Sequence, residues 1–149
     1  MGLIDVLWRL GAATVIGAII GADREWRRKP AGLKTLALVA LGGAFAPVVI
    51  LANGSPDPNP MSRVIQGVLT GVGFLGAGVI MNHRQDGNVE GLTTAAAIWL
   101  VAGIGVACGV GLYMQASVAT AIALAVLIGG RRFERRFLGN GNGSSQSGT

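Results

Sequence analysis

A chain of 149 residues has room for one domain, and with 51% hydrophobic and only 13% charged residues it cannot give that domain a wettable surface, which excludes an ordinary soluble fold. The mean hydropathy of +0.57 agrees, and the 25 glycines, without collagen period, lie in apolar runs as they do in closely packed membrane helices. The formal charge of +5 flanks those runs instead of forming a stripe interleaved with aromatics, so it excludes a nucleic-acid surface and reads as topology signal and headgroup contact.

Five apolar segments are predicted, each approaching the roughly 20 residues that cross a hydrocarbon core of about 30 Å. Helices are expected because lipid offers backbone amides no partners. The first runs from Leu3 to Ala22. It has no basic leader, and Asp5 and Arg9 interrupt it, so it reads as a retained membrane helix and not as a cleaved signal. Asp5 and Arg9 are four apart and can pair on one face, which lowers the roughly 2.5–3.5 kcal/mol that a lone arginine costs in the membrane. Arg9 then either snorkels to the interface or belongs to a polar interior. Gly17 and Gly21 make a small face for a neighbouring helix, and Trp8 and Trp26 suit the two interfaces.

Asp23, Arg24 and Glu25 close the first segment, and Lys29, Gly32, Lys34 and Thr35 lead into the second, Leu36 to Ala52. These charges are either plainly solvated or an ionic network that fixes the first two helices. The next loop, 53–60, is dense in turn formers, and Ser62 is placed to cap the third segment, Val64 to Met81. Arg63 and Gln66 stand at its outer mouth. Gly71, Gly73 and Gly76 spell a dinucleotide fingerprint, but one that lies inside an apolar crossing without a preceding strand, so that reading is rejected. With Gly67 and Gly78 these glycines either let helices touch closely or favour an unwound stretch whose carbonyls line an ion site.

The fourth segment, Thr94 to Val110, is expected to start on a threonine cap. Glu90, Thr93 and Thr94 at its inner mouth offer hard oxygen ligands suited to magnesium or a proton path, though no metal-ligand set can be assigned. Gly105 and Gly109 make another small face, Trp99 and Cys108 read as packing residues, and His83 as a solvated loop residue. A tight hairpin around Gly109 to Tyr113 leads to the fifth segment, Leu112 to Gly129. Residues 1–137 form the transmembrane domain, and the Gly/Ser/Asn-rich residues 138–149 read as a flexible tail.

Basic residues set the orientation. Arg24, Arg27, Arg28, Lys29 and Lys34 lie around the first loop, Arg63 alone in the second, Arg84 in the third, and Arg131, Arg132, Arg135 and Arg136 in the tail. Five crossings with the N-terminus outside and the C-terminus cytoplasmic put nearly all of them inside. The expected fold is therefore an all-α, polytopic bundle of five transmembrane helices. No nucleophile–base set, phosphate cradle or HExxH motif occurs, so neither an enzyme nor a cofactor is expected.

Four ordered blocks carry a resemblance: Ile20 to Arg27, Ala31 to Thr35, Gly71 to Ile80 and Gly91 to Ala96. Together they resemble the MgtC/SapB family of bacterial membrane proteins. Asp23, Arg24, Lys34, Thr35, Arg63, Gln66, Leu92, Thr93 and Thr94 occupy family motif positions. The family usually has glutamate at Asp23, arginine at Lys34 and a basic residue at Glu90, and its loop over 82–89 is slightly shorter. Many members also carry a C-terminal ACT-like domain, where this chain has its short tail. The resemblance implies a multi-pass protein of the bacterial inner membrane, linked to magnesium homeostasis, growth in low magnesium and, in pathogens, virulence. It implies action by restraint of the proton-translocating ATP synthase.

Two functions follow as expectations. One is a non-enzymatic regulator that packs on another membrane complex. The alternative is a small oligomeric transporter or channel for magnesium, protons or another ion. The expected partners are the lipid bilayer and either a second copy of the chain or another membrane complex.

Overall fold

The computed structural model describes residues 1–54, 59–82, 84–85, 88–89 and 91–137, with side chains described for 1–54, 59–81 and 91–129. Glu90, His83 and the tail 138–149 lie outside the described residues. Five helices follow in chain order: α1 (Leu3–Trp26), α2 (Leu33–Ala52), α3 (Asn59–Asn82), α4 (Leu92–Val110) and α5 (Tyr113–Phe137). A two-residue antiparallel ladder, β1 (Arg84–Gln85) with β2 (Asn88–Val89), fills the third connection. The first four helices are long and apolar enough to span a membrane; the apolar part of α5, Tyr113–Gly129, is shorter.

Each helix runs beyond the apolar segment that announces it at one end at least. α1 continues through Asp23, Arg24 and Glu25, since Arg and Glu are good helix formers once a span has left the hydrocarbon and Asp23 is held by Arg27 one turn on. α3 starts at Asn59, so Ser62 is not its cap: the hydroxyl lies inside the first turn and donates to the Asn59 carbonyl at 3.0 Å. Pro60 is tolerated there because a first-turn amide has no helical partner. α4 starts after Gly91, whose φ of 94° only glycine adopts cheaply, and no side chain caps it.

α2 is packed between α1 and α4, and α3 and α5 lie against α4. Contact is backbone to backbone at small residues. A Cβ at Gly17 would stand 2.5 Å from the Leu36 carbonyl oxygen and 2.7 Å from the Ala40 Cβ. One at Gly21 would stand 2.6 Å from the Leu33 Cα. Across the other face of α2, a Cβ at Gly105 would collide with the Ala40 carbonyl, and one at Gly109 with the Ala44 carbonyl and the Pro47 ring. Gly43 of α2 likewise touches Ala102 of α4. Ala40 is therefore pressed from both sides, and Ala13, Ile20, Leu36, Ala44, Val101 and Cys108 fill the core around it.

α3 differs. It is an unbroken α-helix, so the unwound stretch considered for its glycines does not occur. Gly76 meets Ala95 of α4, but a Cβ at Gly67, Gly71, Gly73 or Gly78 would meet nothing within 4 Å. Within a single chain those four glycines do not mediate helix contact, because α3 touches α4 along one face only.

Candidate functional site

Two arginines of α1 reach α4, one near each end. Arg9 donates through Nε to Asp5 Oδ1 at 3.0 Å and through Nη1 to the carbonyl of Gly109 at 2.9 Å. That carbonyl is one of the orphan acceptors at a helix C-terminus, where the helix dipole also favours a cation. The neighbouring carbonyls are taken by the chain itself: Gly111, at φ 91°, lets Leu112 N–H bond to Ala107 and its own N–H to Cys108. Arg9 thus takes part in contacts within the chain, joining the N-terminal part of α1 to the C-terminus of α4.

Arg24 is 3% exposed, and Thr94 equally buried. Its Nη2 donates to the Thr94 hydroxyl in a short hydrogen bond and to the Pro30 carbonyl at 3.3 Å. One guanidinium therefore joins α1, the 27–32 turn and the first turn of α4. Thr94 is expected from the sequence as a cap or hard ligand; here it is instead a buried acceptor for Arg24.

The remaining charges at this end act locally. Asp23 pairs at 2.8 Å with Arg27, the residue that caps the C-terminus of α1. Glu25 accepts the Leu33 amide at 2.8 Å, supplying to α2 the cap that Gly32 lacks. Between them the chain turns through Arg28 and Ala31, both with positive φ (52° and 58°). The ionic network expected between α1 and α2 thus reduces to one ion pair at the end of α1 and one carboxylate cap across to α2, among the described residues. Lys34, Thr35, Arg63, Gln66 and Thr93 are exposed and take no part in the Arg24 contact.

Sequence reasoning missed Gly43, Ala40 and Ala44 as contact residues, although the Ala40–Ala44 spacing is itself a small-residue face. It also took Trp99 for a packing residue, whereas Trp99 is 50% exposed on the outside of α4. Trp8 and Trp26 are largely exposed at the two ends of α1, as interfacial residues are.

Relatives share this sequence over most of its length. The chain is 48% identical to the protein MgtC of Salmonella typhimurium over 124 residues, which cover 83% of the chain and 52% of that protein. It is 43% identical to the protein MgtC of Brucella abortus over 118 residues, 78% of the chain and 48% of that protein. It is 42% identical to the protein SrpB of Synechococcus elongatus over 138 residues, 86% and 76% respectively. The chain therefore spans about half the length of the MgtC proteins it matches. No solved structure matches it. The family model for MgtC proteins matches residues 10–136, from the arginine-bearing turn of α1 to the end of α5, and the chain is a multi-pass membrane protein belonging to the MgtC family.

Proposed function

We propose that the chain is a non-enzymatic regulator of the bacterial inner membrane that serves adaptation to low magnesium by packing on another membrane complex. The observation that supports this reading is the free face of α3. Thr70, Gly73, Phe74, Ala77 and Met81 recur at helical spacing and are all exposed, Phe74 by 82% and Met81 by 76%. A bulky aromatic beside glycines is a knob and a hole for a helix of another protein. The arginines Arg9 and Arg24, by contrast, are engaged within the chain. The family resemblance makes the proton-translocating ATP synthase the first partner to test. In this reading the N-terminus is outside and the C-terminus cytoplasmic. A photo-crosslinking residue at Phe74 should capture a membrane subunit in magnesium-starved cells and not in replete cells. Capture of nothing in either condition overturns the proposal.

A second reading, an oligomeric transporter for magnesium or protons, draws support from the buried Arg24–Thr94 contact, since charge inside a membrane domain is expensive and so marks function. Liposomes containing the purified protein separate the two. Ion-specific flux abolished by Thr94→Val supports transport; its absence supports the regulator.

A further inference from the structure

Between α2 and α3, which touch only sparsely, lies a groove of about 570 Å³. Its walls are almost wholly apolar and are formed by Gly42 of α2 and by Gly67, Gly71 and Leu75 of α3, with Lys34 and Thr35 at one end. A Cβ at Gly42, Gly67 or Gly71 would meet no atom within 4 Å, so the slot is open where the helices lack side chains.

The dimensions select the occupant. The α2 wall runs from Lys34 to Gly43, about 13 Å of helix rise, close to half of a hydrocarbon core of about 30 Å. The groove thus has the length of one leaflet, beginning on the side of the basic 27–34 turn and reaching to Gly43, which abuts Ala102 of α4. A helix, about 10 Å wide and continuous across both leaflets, would seat only on its rim. An acyl chain has the right length and the apolar character of the walls. At the headgroup end stand Lys34 and Thr35, with Arg28 and Lys29 exposed on the adjoining turn, and among the described residues no carboxylate lines the groove.

We propose that this groove holds one acyl chain of an anionic phospholipid, with its phosphate on the Lys34 ammonium and the Thr35 hydroxyl. The full chain is reconstituted in nanodiscs containing equal phosphatidylcholine and phosphatidylglycerol, extracted, and weighed by native mass spectrometry. One phosphatidylglycerol per chain is retained, and phosphatidylcholine is lost. Lys34→Gln lowers that retention about fivefold, the effect of one basic residue near an anionic surface. Gly42→Leu and Gly71→Leu each fill the slot and abolish retention, while circular dichroism shows the helices intact. Equal retention of both lipids, an unchanged Lys34→Gln, or phosphatidylglycerol bound by both leucine variants overturns the proposal. So does a Gly71→Cys crosslink to a second copy, which would put a protein helix in the slot.

Discussion

A guanidinium keeps its charge among apolar helices, so its donors need acceptors, and Arg24 finds one on a helix seventy residues away. Thr94→Val keeps the side-chain shape and removes the hydroxyl, and with it one acceptor of a buried guanidinium. It should cost about 1–3 kcal/mol, read as a lowered unfolding temperature in detergent, while Thr94→Ser should lie near wild type. The turn after α1 holds the opposite kind of site. Arg28 ends that helix in the left-handed region, which costs an L-residue roughly 1–2 kcal/mol. Arg28→Gly should therefore raise the unfolding temperature. At this scale the sequence names the residues and not their pairings. Arg9 with Asp5 is legible from spacing alone, whereas Arg9 with Gly109 and Arg24 with Thr94 depend on how α1 and α4 meet.

Helices are legible wherever hydropathy is, and their ends are not. Apolar runs report the solvent of a segment, whereas a helix stops where its caps are made, as at Gly111 and Arg28. Glycine counts are silent in another way. Gly105 and Gly73 look alike in sequence, yet one abuts the Ala40 carbonyl and the other faces open space. Gly105→Leu should separate α2 from α4 and cost at least about 1–3 kcal/mol by overpacking, leaving little folded protein after extraction. Gly73→Leu should leave the single chain as stable as before and disturb only what docks on α3. Paired unfolding curves of the two variants check this contrast, and equal losses would contradict the one-sided placement of α3.

For the whole molecule, the proposed orientation with five crossings places the two chain ends on opposite sides of the membrane. Cys108 is fully buried and should stay silent to maleimides in intact cells. Asn53→Cys, exposed at the end of α2, should then be labelled by a membrane-impermeant reagent from outside, and Lys29→Cys only after lysis. The reverse pattern would invert the orientation. The bundle's all-α character was legible from composition; the order of packing, with α2 in the middle and α3 attached along one side, was not, because it depends on which of many small residues face one another.

Fifteen residues separate Arg9 from Arg24 on α1, and fifteen separate Thr94 from Gly109 on α4. The two tethers are thus matched in length, about 22 Å along either axis, and α1 cannot slide by a turn without breaking both. For a nascent chain this sets a timetable. When α1 leaves the ribosome its first arginine has only Asp5 for company, and the acceptor that completes its shell is synthesised a hundred residues later. The earliest helix to be inserted gains its second anchor only when α4 is complete, and a polypeptide stalled before Gly109 would present that loose arginine to membrane quality control.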